Sequence, residues 1–559
     1  MAVRRVGKRR KHAWLKWAAG AVLLAFLVLG VVIRVAIRRA EPILRAAIVA
    51  KLEEHFNARV ELESFHVSMT DGIWAEGKGL RIWPPTNVAG VFLDTYDAGD
   101  AKPIIRLDDF RFHAPLHYKP GEPIRISVVQ LTGLDVDVPS KPHIRREETE
   151  PSGAAPDESH PSMLSFVVES IDCKNAHLTI ETSKPGKLPL EFDIAQVRLS
   201  HVSVSNSMHF DAQLTNPRPT GTIVTSGNLG PWVVEDPGET PVAGGYRFEK
   251  ADLGVFKGIA GILNSTGKYQ GVLRNLDVDG QTDTPDFRLT QFGTAMPLET
   301  TFHATVDGTN GDTWLHPVRA TLGQSHFTAE GEIVGNPPET LPNGITRPGG
   351  HHIALNVIVN GGRMEDFMRL VSKSGTPLMT GELTLKTKLE IPPGSVPVEK
   401  KIKLNGNFRL EDVEFTSAKV QNDVGELSMR GQGQPKDAGN AGDQVRSAIE
   451  SSFTMANGVV MLPDIKYTVP GAEIDLAGKY GLDGSTLDFT GTARTDATVS
   501  RMVGGWKGFL LKPADKLFKK DGAGTVVPIH VDGTEQNPRF GVDFGKIGHT
   551  SPQIPGQAQ

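Results

Sequence analysis

From Leu80 onward the chain alternates apolar and polar residues with a period of two, and the alternation keeps returning along its length. Ile124, Ile126 and Val128 follow it, as do Leu134, Val136 and Val138, then Leu190, Phe192 and Ile194. It recurs in Ile353, Leu355, Val357 and Val359, in Leu383, Leu385, Leu389 and Ile391, and in Ile402, Leu404, Phe408 and Leu410. Ile474, Leu476, Leu487 and Phe489 continue the series. Successive strand residues point to opposite faces, so these segments predict strands with one apolar and one polar face. Between YG and TLDF, the Asp-Gly pair of LDGS at 482–485 suits a tight hairpin. A weak echo links VDGQTDTPDFRL at 278–289 with VDGTEQNPRFGVDF at 531–544, which reads as strand, turn and strand repeated.

Other spacings interrupt this pattern. Residues 17–33, WAAGAVLLAFLVLGVVI, form an apolar run behind a basic start. At roughly 1.5 Å per helical residue, Trp14 to Ile37 covers the ~30 Å hydrocarbon core of a bilayer. A cleaved signal peptide is the rival reading, but the run exceeds the usual h-region and exits into RVAIRRA rather than a small-residue cleavage site. Seven Lys/Arg precede it and Arg34, Arg38, Arg39 and Arg45 follow; the heavier N-terminal cluster favours that end inside. After Pro42, the apolar residues Ile43, Leu44, Ala47, Ile48, Leu52 and Phe56 predict an amphipathic helix that covers the end of a sheet or lies on the membrane surface. Met364, Phe367, Met368 and Val371 predict a second helix, and Val499, Met502, Val503, Trp506 and Leu510 a third, both packing against a sheet. Pro/Gly/polar stretches at 139–162, 336–350 and 431–443 read as loops or linkers.

So much alternation with so little helix raises the question of what buries the apolar face. A sandwich buries it against a second sheet, whereas a curved trough leaves it facing a hydrophobic channel. Sixty Gly and 38 Pro with many Thr and Val agree with a β-rich chain. Residues 1–45 hold 11 of the 60 Lys/Arg and one of the 65 Asp/Glu, so 49 basic residues face 64 acidic ones in the remainder, a net −15. That acidic body argues against a nucleic-acid partner, and the basic start suits anionic lipid headgroups. Cys173 is the sole cysteine, which excludes an intramolecular disulfide and a Cys-based zinc site.

Catalytic motifs are scarce. GxxxxGK[ST], HExxH, GxSxG and a Rossmann GxGxxG are all absent. STGK at 265–268 matches SxxK without its companion elements, His351 and His352 would point apart on an extended backbone, and Asp277, Asp279, Asp283 and Asp286 lack EF-hand spacing. The expectation is a protein that is not an enzyme, with no catalytic residues, metal site or cofactor.

A resemblance adds to this. ARVELESFHVSMTDGIWAEGKGLRIWPP, following one membrane helix and an amphipathic helix, is similar to the opening strands of the AsmA family of inner-membrane-anchored envelope proteins. PGAEIDLAGKYGLDGSTLDFTGTARTDATVSRMVGGWKGFLLKPADKLFKKDGAGTVVPIHVDGTEQNPRFGVDF resembles the family's C-terminal region in its strand pair, helix and closing strand. The likeness covers both ends, and the middle by pattern only. It implies a repeating β-groove fold of the bridge-like lipid-transfer type, with phospholipid movement toward the outer membrane.

The expected architecture is therefore mainly β. A single N-terminal transmembrane helix leads into an elongated, twisted, trough-like antiparallel β-groove with a few packing helices. Its parts are a cytoplasmic basic tail (1–13), the transmembrane helix (14–37), the amphipathic helix (41–57), an N-terminal β region (58–138), a linker (139–162), central groove repeats (163–430), a flexible loop (431–446), a C-terminal region (447–545) and a tail (546–559). The groove face is assigned to Leu383, Leu385, Leu389, Ile391, Ile402, Leu404, Phe408, Leu410, Ile474, Leu476, Leu487 and Phe489. Phospholipids and the inner membrane are the expected partners, with outer-membrane or periplasmic assembly proteins besides, and most of the chain lies in the periplasm. The alternative is a scaffold for outer-membrane protein assembly acting through exposed strand edges. At 4.7–4.8 Å per strand, about 25 strands give a groove on the order of 120 Å, short enough to leave a bridging partner open.

Overall fold

The computed structural model describes residues 41–542 except 43, 47, 55–57, 69–72, 84–101, 115–123, 139–165, 181–188, 204–205, 234–235, 257, 291–293, 337–338, 341–345, 348, 372–376, 395, 436–444, 483, 485, 504–523 and 535–536. The expected transmembrane helix, linker and terminal tails lie outside the described residues, as does Trp506. No helix among the described residues is long and apolar enough to cross a membrane.

The chain divides into two compact units, Met1–Glu181 with Leu190–Gln213, and Thr182–Pro189 with Leu214–Gln559. The division falls inside the stretch read from sequence as central repeats. The first unit contains a helix, α1, formed by the described residues between 41 and 54. Its strands are β1 (Val60–Ser68), β2 (Ile73–Ile82), β3 (Ile105–Ala114), β4 (Ile124–Val138), β5 (Phe166–Ile180) and β6 (Leu190–Ser200); β7 (Met208–Pro217) contains the unit boundary. Each strand from β1 to β5 pairs with the next. All these pairings are antiparallel except β4 with β5, which is parallel. The sheet is thus antiparallel, as expected, but for this one pair, and the exception has a physical reason. A parallel pair needs a crossover of a dozen residues or more, and 139–165 supplies the length.

Leu44, Ile48, Val49 and Leu52 of α1 pack on a core containing Leu62, Phe65, Leu80, Leu107 and Phe110. Acidic side chains of the same helix reach the edge strand: Glu53 Oε1 accepts from Val60 N at 3.3 Å and Glu41 Oε1 from Val67 N at 3.0 Å. The helix thus covers an open sheet edge, one of the two expected roles. The core pairs Leu62 with Phe65, Leu107 with Phe110 and Leu131 with Leu134 stand three apart, where strict alternation would place them on opposite faces. Gly133, at φ 68° between Leu131 and Leu134, takes the left-handed conformation that inverts the phase of β4; Gly79, at φ 64°, does the same in β2 and Asn175 in β5.

The second unit is mainly β throughout. Its first strands are β8 (Thr220–Leu229), β9 (Pro241–Asp252), β10 (Ile259–Ala260), β11 (Ile262–Val272), β12 (Asn275–Leu289), β13 (Met296–Val306), β14 (Thr313–Leu322) and β15 (Ser325–Asn336). After the small pair β16 (Glu339–Thr340) and β17 (Thr346–Arg347) come β18 (Gly350–Arg363), β19 (Met379–Ile391), β20 (Lys403–Phe415), β21 (Ser447–Ala456) and β22 (Val459–Val469). The run closes with β23 (Ala472–Gly481), β24 (Leu487–Thr495), β25 (Thr525–Thr534) and β26 (Asn537–Val542). Leaving aside β10, β16 and β17, each strand from β8 to β26 pairs antiparallel with its neighbour in sequence. No pairing joins β8 to β26 among the described residues, so this ladder is open.

Helices α2 (Met364–Val371), α4 (Ala418–Gly431) and α5 (Val499–Val503) connect strands at one end of this ladder, and the four-residue α3 (Val398–Lys401) connects β19 to β20 at the other. The second predicted helix appears as α2 and the start of the third as α5, with Leu510 outside the described residues; α4 has no counterpart in the sequence reading. Asp366 fastens α2 by accepting from Ser325 Oγ at 2.8 Å and Gln324 N at 3.0 Å. Gln421 fastens α4, accepting from Phe415 N and donating to Val445 O, each at 2.9 Å.

As the Asp-Gly pair suggested, β23 and β24 form an antiparallel hairpin joined by 482–486, with Gly484 at φ 73° and its amide donating to Gly481 O. One local expectation changes. The Val-Asp-Gly echo is not a structural repeat: residues 278–280 lie within β12, which runs on without turning, whereas 531–533 end β25 before the turn to β26.

Candidate functional site

The ladder register assembles one apolar face from residues distant in sequence. Leu355, Leu389, Leu404 and Met455 stand side by side on β18 to β21. Val359, Leu385 and Phe408 form another row, and Leu383 faces Leu410. The rows continue through Tyr467, Ile474, Ala493 and Val527, and through Gly478, Phe489 and Val531. Ile391 meets Ile353, Leu476 meets Ile465, and Leu487 meets Tyr480. Eleven of the twelve assigned face residues therefore share this face. Ile402 precedes β20 and instead caps α3, its amide donating to Val398 O at 2.8 Å, so its assignment to a strand is corrected.

The other face carries charge. Arg409, Glu450, Lys466, Asp475 and Arg494 alternate with the apolar residues, and Lys466 and Arg409 reach Glu450 at 3.8 and 3.9 Å. Such exposed pairs contribute little stability individually, but they identify this as the water face.

Burial along the apolar face is graded. Where α2 packs through Met364 and Phe367, Val359, Leu383, Leu410 and Val413 are at most 4% exposed. Val424 of α4 likewise packs with Val445, Val469 and Ala472. Away from the helices, Leu355, Leu389, Leu404, Leu476 and Leu487 are only half-buried. A second sheet stacked over them would close them off, as the inner faces of a sandwich are closed. The apolar face is covered at one end; away from it these leucines are half-buried, while Phe453, Met455 and Phe489 are at most 9% exposed.

Toward β8–β13 the same face changes chemistry. The register carries it through Thr225, Tyr246, Ser265, Tyr269, Thr282 and Thr300. Thr225 Oγ1 lies 2.6 Å from Tyr269 Oη, Tyr246 Oη 3.0 Å from Ser265 Oγ, and Thr282 Oγ1 2.7 Å from Thr300 Oγ1. Sequence reasoning missed this belt. Its signal was the alternation of Ser265, Gly267 and Tyr269, with hydroxyl or glycine residues standing where β18–β24 carry aliphatic ones. A concavity of about 440 Å³ over β11–β14 is lined chiefly from the charged side, by Asn264, Thr266, Gln281, Asp283, Glu299 and Arg319. Its polar lining suits solvent.

STGK lies in β11 with Ser265 and Lys268 on opposite faces, so the serine and lysine do not meet; Ser265 bonds Tyr246 and the Gln281 carbonyl instead. His351 and His352 are consecutive residues of β18 and face opposite ways. Asp279 pairs with His303 at 2.9 Å and Asp286 accepts from Ile262 N at 2.8 Å. No group of three or more potential metal ligands occurs among the described residues. Comparison with protein-family models, curated proteins and solved structures gives no match.

Proposed function

We propose that this chain is an inner-membrane-anchored periplasmic protein that binds phospholipids along its apolar strand face and conducts them toward the outer membrane. One observation carries the reading: a continuous apolar face crosses β15–β26, and away from the helices its Leu355, Leu389, Leu404, Leu476 and Leu487 are only half-buried. A folded chain leaves such a surface open at a cost unless something apolar occupies it, and acyl chains have matching chemistry. Each methylene removed from water contributes about 0.8 kcal/mol, so half-shielding eight of them offsets about 3 kcal/mol of extraction from a bilayer. Headgroups stay where the face meets water or turns polar.

The open ladder, the membrane-length run at 14–37 and the resemblance of both ends to the AsmA family agree with a groove of this kind. The elongated, twisted trough belongs to this proposal. In the second unit the sixteen ladder strands, at about 4.8 Å each, reach on the order of 70 Å before twist shortens them. The test is lipid analysis of the full-length chain purified in several mild detergents. Phospholipid retained through each purification is expected. A lipid-free protein from all of them contradicts the proposal.

A further inference from the structure

The hydroxyl belt has a direction. Thr225 Oγ1 donates its only proton to Gly245 O at 3.0 Å, so in its 2.6 Å contact with Tyr269 the tyrosine donates. Ser265 Oγ likewise donates to Gln281 O at 3.0 Å, so Tyr246 donates in its 3.0 Å contact. Both phenol protons are committed inward, and each Oη is left with acceptor lone pairs. Burial pushes both phenols above their ordinary range, against one hydroxyl bond each, which keeps the protons in place at neutral pH. The Thr282–Thr300 pair likewise places one of its protons between the two threonines.

Glycines let the rings lie flat across the sheet. A Cβ on Gly267 would stand 2.7 Å from the Tyr246 ring, and one on Gly280 2.8 Å from Tyr246 Oη. The two tyrosine rings are half-buried, with centroids 6.5 Å apart and planes tilted by 31°. Arg247, Lys268 and Asp279 alternate onto the opposite face, so Tyr246, Tyr269 and their row neighbours present aromatic carbon and acceptor oxygen without charge.

An anionic group needs donors, which the tyrosines do not have to spare. A primary ammonium has three donors and no acceptor, and aromatic rings also attract a cation. A trimethylammonium keeps the cation–ring attraction but has no proton to donate. We infer that Tyr246 and Tyr269 form a headgroup-reading station that selects lipids with a primary ammonium over the same lipids carrying a trimethylated one. This inference rests on the lipid-binding reading above and names a preference within it.

The full-length chain in detergent is equilibrated with equimolar palmitoyl-oleoyl phosphatidylethanolamine and phosphatidylcholine, and the bound lipid is measured by mass spectrometry. Wild type is expected to enrich the ethanolamine lipid about tenfold, the scale of one charge-assisted hydrogen bond. Tyr246→Phe with Tyr269→Phe keeps both rings and leaves Thr225 and Ser265 bonded to their carbonyls. In that variant the ratio is expected to fall to about one. Should the pair fail to fold, each single variant is expected to lower the ratio part of the way. Lipid bound without discrimination by wild type, or enrichment surviving both substitutions, overturns the inference alone. Wild type that holds no lipid overturns the lipid-binding reading and this inference together.

Discussion

A carboxylate placed on the open part of the apolar face should be far cheaper than one placed under the helices. Leu404 is half-buried, with Leu389 and Met455 beside it in the ladder; Leu410, six residues along the same strand, is 2% exposed and belongs to the cluster that Met364, Phe367 and Phe415 pack against. Leu404→Glu loses part of the transfer free energy of one leucine while its charge stays hydrated, about 1–2 kcal/mol. Leu410→Glu loses full burial and leaves an unpaired charge inside, about 4 kcal/mol or more. Because a long ladder need not unfold in one step, the readout is amide hydrogen exchange in β19–β21. Every 1.4 kcal/mol is tenfold in the opening equilibrium, so Leu404→Glu should speed exchange by about 5- to 30-fold and Leu410→Glu by about a thousandfold or more. Equal damage from both would mean that a layer covers the middle of the face, and the open-face argument would fail.

Other predictions concern separate parts of the molecule. Burial first, and then the Asp172 charge, push the Cys173 thiol up to about 11, so iodoacetamide at pH 8 should leave native protein unlabelled and modify it on denaturation; rapid native labelling would contradict the packing of β5. Burial raises the Asp464 carboxyl, but bonds from Ser452 and Ser451 and the Lys466 charge outweigh it and hold it below its usual range. With the folded value depressed, its contribution is present above the unfolded carboxylate pKa and lost as pH falls through the folded one. Asp464→Asn should therefore speed exchange at the Ser452 amide at pH 7 and make no difference once wild-type Asp464 is protonated; an equal effect at both would refute this. In cells, Leu385→Glu with Leu404→Glu should abolish a conduit's function while protein levels hold, whereas a scaffold acting through strand edges would tolerate the pair. Trypsin should cleave at Lys141, Arg145 or Arg146 once the outer membrane is permeabilised; cleavage only after the inner membrane is breached would place the body in the cytoplasm.

Much of the sheet was legible because a strand with one wet face writes its period directly into the sequence. Leu383 through Ile391 and Leu404 through Leu410 alternate without a break in phase, and the ladder register sets them side by side. The first unit was harder to read. Gly79 and Gly133 invert the phase, so Val129 and Leu131 join Leu134 and Val136 on one face while Val128 is left 40% exposed. Helix α4 was hidden because its apolar stripe is only Val420, Val424 and Leu427, interrupted by Gly425, and its position depends on tertiary bonds from Gln421 and Ser428. The parallel β4–β5 pair was illegible, since local pattern carries no information on strand direction. The hydroxyl belt was missed because a search for apolar positions passes over Thr225, Ser265 and Thr300, whose common face emerges only from five strands in register.

The central claim is that the apolar face touches acyl chains in the cell and the charged face does not. A photo-crosslinking phenylalanine analogue at Leu389, half-buried on the apolar face, is compared with one at Lys388, the next residue and exposed on the other face. After irradiation of living cells, the account predicts a phospholipid adduct at 389 and none at 388, read by mass spectrometry of the purified protein. Equal labelling at the two positions, or no lipid at 389 with the chain folded and present at normal level, would contradict it.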